Sequence, residues 1–458
     1  MAATQESRPL GTFERYFYER NLQSLYQSVV IWIDLAAPIT PARLHRALRY
    51  LLAHAGQERS ALWAYVVGAE TDAPRLAMLP QIDVADIVSF IGDDEVDEKV
   101  AFERFLVRLS ETPIAYDVPK MPLWRVVVWK DKSVCFAFDH MPFDGTSGAL
   151  FQVAFADALA ATADDADVDK TIVERDPAMK LFPCMEDAVV VSPPVVYLLR
   201  ALLSEFGPGW PKWLKRPTRT PEMFGGLTKD VSGVVMHVIT FDAAQTSAMI
   251  TACRAHNTTL TALMHTFILV AMSSAFPDAP GFATTIPINA RRFASSDISN
   301  MMGVYVSKFG ETLPSMDSSV TSVWQEATRL AVELRAGTNR ATCYLIGALK
   351  YVGDVRKWLA EKVASGGLRD SEMELSNIGA YRFAPAAGVV GLGFAQPHGV
   401  VQPPVKFNSA GVVGGRVTLT MTCTDRIVGE GKGAVLYTAF MDVANALLST
   451  LEADKPAA

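Results

Sequence analysis

Cysteine is scarce. The 458 residues hold five: Cys135, Cys184, Cys253, Cys343 and Cys423. Their odd number, wide scatter and lack of any Cys-x-x-Cys pair argue against a disulfide framework and a zinc site. They read as buried thiols in a reducing compartment. Positive charge is in deficit too. Lys and Arg total 42 against 49 Asp and Glu, a formal net charge of -7. That balance speaks against a general nucleic-acid binder, while a local basic patch for the phosphates of an acyl carrier stays open. There is no Gly-x-Ser-x-Gly, P-loop or Gly-x-Gly-x-x-Gly. The nucleophile elbow of an ordinary α/β-hydrolase and two common nucleotide cradles are thereby excluded. No apolar run reaches about 18 residues, the shortest length that crosses a bilayer, and residues 1–11 lack an apolar signal core. The expectation is a soluble, cytoplasmic protein. Low-complexity tracts and close internal repeats are also missing.

What is present suits a large α/β protein. Half of the chain is hydrophobic, enough for two domains of about 200 residues each or one intertwined pair. Residues 29–35 form a β-branched, aromatic run typical of a strand. Thr40 and Pro41 then open a helix whose stripe is Leu44, Ala47, Leu48, Leu51, Leu52 and Ala55. Residues 122–129 and 134–138 predict a hairpin buried on both faces, turning at Asp131-Lys132. It runs straight into Asp139-His140-Met141-Pro142-Phe143-Asp144-Gly145 and an apolar helix over 147–160. Residues 161–170 read as an acidic linker.

Residues 182–226 are proline-rich, with Trp210 and Trp213 beside Lys212, Lys215 and Arg216. They read as a crossover between halves, with peripheral membrane contact as the second reading. A second strand-helix-helix block covers 233–275. Strand patterns at 282–287, 303–309 and 417–424 alternate with helices such as 319–336. The expected layout is an N-terminal subdomain over 1–181, a crossover over 182–231 and a C-terminal subdomain over 232–458, each with mixed sheet and covering helices.

The His140 segment sits where α/β proteins hold reactive groups, at a rigid strand end before a helix. To take a proton from a hydroxyl, a histidine must be neutral near pH 7 and held in one tautomer. Asp144, past a tight turn, would order the loop, and Gly145 would let the backbone turn into the helix. The plainer reading is a satisfied core histidine with Asp144 as helix cap. Among other histidines, His265 in an apolar helix reads as core, His256 as a helix C-terminus, His45 and His54 as surface or boundary residues, and His398 as a loop residue without a partner.

His140-Met-Pro-Phe-Asp144-Gly145-Thr-Ser-Gly148 resembles the active-site motif of the superfamily of chloramphenicol acetyltransferase, peptide-synthetase condensation domains and plant BAHD acyltransferases. The likeness is closest to the fungal and yeast alcohol O-acetyltransferase family. Further segments resemble that family's blocks in order: Arg8-Pro9-Leu10-Gly11 with Glu14-Arg15-Tyr16, Pro122-Leu123-Trp124-Arg125, Thr259-Leu260-Thr261-Ala262-Leu263, Pro287-Ile288-Asn289-Ala290-Arg291-Arg292, Gly303-Val304-Tyr305-Val306, and Ser376-Asn377-Ile378-Gly379. Condensation domains carry a second histidine where this chain has Asp139, which favours ester over amide formation. No Asp-Phe-Gly-Trp-Gly block of the plant enzymes occurs.

The resemblance implies two chloramphenicol-acetyltransferase-like halves as a pseudo-dimer with a central tunnel, and by default a monomer. It implies His140 as base and Asp144 as a structural ion-pair member. Arg291 would be the partner, with Arg292 as fallback. A buried carboxylate needs one. It implies acyl-CoA as co-substrate with no permanent cofactor and no metal, a hydrophobic alcohol or secondary-metabolite hydroxyl as acceptor, and no covalent acyl-enzyme. Ser376 and Asn377 are oxyanion candidates, with an ordinary turn as the plainer reading. An acyl carrier protein as donor, or a binding homologue without catalysis, are the alternatives.

Overall fold

A computed structural model describes residues 7–92, 98–116, 118, 121–162, 171–189, 191–196, 198–199, 223–336, 340–367, 369 and 371–453. The Trp210 to Arg216 segment and residues 163–170 lie outside the described residues. Two mixed sheets form the scaffold. The first has the order β14 (Val389–Ala395), β2 (Val29–Leu35), β8 (Ser133–Phe138), β7 (Trp124–Trp129), β6 (Val88–Ile91). The second has the order β10 (Val234–Phe241), β16 (Val417–Thr424), β15 (Val405–Val412), β13 (Met373–Tyr381), β11 (Gly281–Asn289), β12 (Val306–Pro314). Two small sheets flank them: β1 (Ser7–Pro9), β4 (Arg75–Met78) and β3 (Ala64–Val67), and the pair β5 (Gln81–Asp83) with β9 (Ile172–Glu174). Late in the chain, β14 leaves the second half and pairs antiparallel with β2 in the first sheet.

In the first sheet β2, β7 and β8 are buried on both faces, as the sequence predicts for the hairpin of β7 and β8. The hairpin turns one residue earlier than the sequence suggests. Lys130 and Asp131 both take positive φ, 44° and 55°, and Lys132 N–H donates to the Trp129 carbonyl. Two left-handed central residues match the twist of the flanking strands. Helix α1 (Thr12–Leu22) precedes β2, α2 (Pro41–Ala53) follows it, α3 (Glu98–Glu111) lies under Val127 and Trp129, and α4 (Gly145–Ala161) lies on β2 and β8. Thr40 caps α2 by accepting from Arg43 N–H, with Pro41 at the first position.

The second sheet has two unlike faces. Val405, Phe407, Leu419, Met421 and Cys423 pack under helices Leu260–Ala275 and Lys432–Ala453. The alternate residues Lys406, Asn408, Thr418, Thr420 and Thr422 are buried as well. That polar face meets β14: Thr420 Oγ1 donates to the Phe394 carbonyl at 2.8 Å, and Gln396 Nε2 to Asn408 Oδ1 at 2.7 Å. A buried polar layer thus lies between the sheets, every strand of it wet in sequence and dry in the fold. Helix Lys432–Ala453 is long and apolar enough to cross a membrane by length and composition. Here it lays Leu436, Phe440, Ala444 and Leu447 into the core of the second sheet.

Candidate active site

The end of β8 delivers Asp139 and His140 into the space between the sheets. Asp139 is buried; its Oδ1 accepts from Met141 N–H at 2.7 Å and its Oδ2 from Asn21 Nδ2 of α1. Burial pushes its carboxyl up to about 6, although bonds from the Met141 backbone, Tyr116 and Asn21 oppose that. This residue, which the sequence presents only as a replacement for a histidine, ties the motif loop to α1. That tie places Phe17, whose ring stacks on His140 at 4.1 Å and 10°, with Tyr26 tilted against it at 5.7 Å.

His140 is half-buried. Burial first, then the charge of Arg20, holds its pKa down at about 4, against an ordinary 6.5. The ring is therefore neutral near pH 7. Nδ1 is enclosed and has no hydrogen-bond partner of normal geometry among the described residues, while the backbone of His140 itself and of Phe143 opposes the lowering.

Asp144 fills both roles the sequence suggests for it. As the N-cap of α4 its Oδ1 accepts from Ser147 N–H at 2.8 Å. It also pairs with Arg291, Nη1 to Oδ2 at 2.7 Å and Nη2 to Oδ1 at 3.1 Å, with side chains 4% and 2% exposed. Tyr305 N–H donates to Oδ2 at 2.9 Å. Arg291 Nη2 also donates to Ser147 Oγ at 3.0 Å and to the Gly303 carbonyl at 3.2 Å, and Nε to the Met301 carbonyl at 3.0 Å. Burial alone would raise the Asp144 carboxyl, but Arg291, Ser147 and Tyr305 outweigh it and hold the carboxyl below its ordinary value. The group is a lock between the motif and residues 289–305, with no oxygen left for chemistry. Arg292, the fallback, is exposed and lies over the Phe293 ring.

Gly145 does something other than what its place before a helix suggests. Its φ is not left-handed. A Cβ there would stand 2.6 Å from Ile378 Cγ2 of β13 and 3.6 Å from the Phe394 ring of β14. The residue is small so that the second sheet can close on the motif. Gly145→Ala is expected to cost about 1–3 kcal/mol by overpacking, seen as a lowered thermal midpoint.

The oxyanion candidates separate. Both lie in β13 rather than in a turn. Strand alternation sends Glu374, Ser376 and Ile378 toward the motif and Met373, Leu375 and Asn377 toward the helices. Asn377 Nδ2 is spent on Thr261 Oγ1 at 2.9 Å, and its Oδ1 on Gly379 N–H at 2.8 Å. The Asn377 amide thus holds helix Leu260–Ala275 to the strand; Ser376 stays on the motif side. His265 is a core residue bonded through Nε2 to Thr284 Oγ1 at 2.7 Å. His256 caps its helix and stacks on Trp324. All five cysteines are buried and free. Among the described residues no group of acids, histidines and cysteines has metal-site geometry. Phe17, Arg20, Tyr26 and Asp139 are the site neighbours that sequence reasoning missed. Only the likeness of residues 8–16 to a family block hinted that α1 belongs to the site.

Comparison with known proteins agrees with this geometry. The family model described as alcohol acetyltransferase matches residues 9–443. An uncharacterized protein of Schizosaccharomyces pombe is 24% identical over 99% of both chains. The probable alcohol acetyltransferase FCK4 of Fusarium pseudograminearum is 21% identical, covering 92% of this chain and 91% of its own. Among solved structures, the trichothecene 15-O-acetyltransferase TRI3 of Fusarium sporotrichioides superposes with a TM-score of 0.68 at 11% identity, over 96% of this chain and 95% of that one. The epimerization domain of the third module of tyrocidine synthetase B gives 0.62 at 13% identity over 98% of each. The fold is the two-subdomain α/β fold of condensation domains. A match across almost the whole length, on a chain whose histidine motif is locked by a buried ion pair, establishes that this protein belongs to the alcohol acetyltransferase family and is an acyltransferase.

Proposed function

We propose that the protein transfers an acetyl or longer acyl group from acyl-CoA to a hydroxyl, with His140 as general base and no covalent acyl-enzyme. The observation that carries this is the placement of His140, clamped by Phe17 at the end of β8 beside an Asp144 that is fully engaged elsewhere, with burial and Arg20 lowering its pKa. His140 Nε2 takes the acceptor proton as the oxygen attacks the thioester carbonyl, then returns it to the departing thiolate. Both substrates meet in the polar layer between the sheets, entering by a tunnel from opposite faces, so proximity replaces a covalent intermediate. Ser376 is the side chain offered to the oxyanion. Asp144, Gly145 and Arg291 hold the loop and touch no substrate. The protein acts as a monomer in the cytoplasm, and the boundaries near residues 181 and 232 separate its halves.

Acceptor-dependent thiol release from acetyl-CoA and longer acyl-CoAs, across a panel of alcohols, tests the reading. Release that requires a carrier-protein thioester instead would move the donor, not the chemistry. The pH profile is a second test. Protonation removes the base, so activity falls as pH drops through the lowered pKa of about 4. We expect the limb due to His140 to lie well below pH 6.5. Asp139, pushed up to about 6, adds a shallow limb of its own. Asp139→Asn removes that limb; one near 6.5 that persists in the variant would contradict the neutral-base assignment.

A further inference from the structure

Several buried carboxylates have a cation beside them. Glu14 is held by Arg8 at 2.6 Å, Glu19 by Arg15 at 2.7 Å and Arg356 at 2.9 Å, and Asp144 by Arg291. Asp34 is paired with Arg416. Glu374 feels Lys406 most strongly and Lys308 and Arg20 less, and Lys406 Nζ also donates to the Pro397 carbonyl and to Gln402 Oε1. Arg20 of α1 is 5% exposed, and among the described residues its Nε and Nη2 have no hydrogen-bond partner. Its guanidinium is enclosed by the rings of Tyr16, Phe17 and Tyr26, at 5.2, 5.3 and 4.6 Å. The rings ease the burial of the cation. They satisfy no N–H, and a buried unpaired donor is costly.

Two features point to a ligand. Nε and Nη2 form one edge of the guanidinium, the edge whose parallel N–H bonds match the two oxygens of a carboxylate. Arg20 also lies beside the candidate base: Phe17 and Tyr26, which pack on its guanidinium, are the same two rings that pack on His140. A phosphate group fits less well, because it calls for several cations, and the neighbouring Lys406 and Arg369 are engaged with carbonyls.

We propose that Arg20 anchors the carboxylate of the acceptor, and that the acceptor is a short-chain hydroxy acid whose hydroxyl then lies at His140. This rests on the acyltransferase reading with His140 as base. Coupling follows from the charges. After burial, Arg20 is the main influence keeping His140 unprotonated. A carboxylate on Arg20 cancels that charge, so the filled site accepts the hydroxyl proton more readily than the empty one.

The test is acetyl transfer to lactate and β-hydroxybutyrate, each beside its methyl ester, and to isoamyl alcohol, for wild type, Arg20→Gln and Arg20→Lys. Wild type is expected to prefer each acid over its ester. Arg20→Gln should raise KM for the acids at least about tenfold, the loss expected for a charge-assisted pair, and should change the esters by less than about threefold. Arg20→Lys should recover part of the difference. Preference for the neutral acceptors in wild type, a comparison that needs no variant, would overturn the proposal and leave the acyltransferase standing. So would a fall in kcat of equal size for every acceptor, which would make Arg20 an oxyanion donor. If no acceptor releases thiol, the catalytic reading fails, and calorimetry of β-hydroxybutyrate decides the anchor alone. Binding to wild type that Arg20→Gln abolishes supports it; equal binding or none refutes it.

Discussion

His140→Ala should lower acceptor-dependent thiol release by at least about 100-fold, the usual worth of a positioned general base. Thermal unfolding should hardly change. The ring is half-buried and stacks on Phe17, but it makes no strong hydrogen bond whose loss would unsettle the loop. Asp139, Asp144 and Arg291 hold the backbone of the motif without it. Activity and stability therefore separate at this position. A fall in kcat with KM for acyl-CoA unchanged would mark a group that acts only in the transition state. Release that persists at the wild-type rate would remove His140 as the base.

The reverse separation is expected at the lock. Arg291→Ala strands Asp144, which is 3% exposed, with only the Ser147 N–H and hydroxyl and the Tyr305 N–H to satisfy it. Removing one member of a buried pair costs about 3–5 kcal/mol. Chemical denaturation should show a loss of that size, and activity should fall with it as the His140 loop loosens. Asp144→Asn should do nearly as much, because it leaves the Arg291 cation buried. Arg292→Ala is the control. Its side chain is on the surface, so its effect should stay within about 0.5 kcal/mol. If the two arginines behaved alike, the ion pair would not be the lock.

Much of the fold could be read from local pattern. The apolar runs of β7 and β8 announced a hairpin covered on both faces, the β-branched run of β2 announced a strand, and Thr40-Pro41 announced the start of α2. The motif at 140–145 was legible because it lies on one strand-loop-helix junction. Residues far apart in sequence were harder. Residues 303–309 looked like one strand, yet Gly303 and Tyr305 bind Ser147 and Asp144, and β12 begins only at Val306. Residues 417–424 read from sequence simply as a strand. Its threonines are buried because β14 from the first sheet covers them.

By itself, then, the sequence determined the local elements and the histidine motif, because short-range propensity and spacing carry that information; the pairing of Asp144 with an arginine of the 287–292 block was legible only through the family resemblance. Tertiary structure alone decided that β14 joins the first sheet, that Asn377 faces a helix while Ser376 faces the motif, and that Gly145 is small to admit Ile378. It also decided that Arg20 lies beside His140 with its Nε and Nη2 unpartnered among the described residues. Each of these depends on which surfaces meet between two sheets, and a side chain's partner across such an interface leaves no periodicity in its own segment.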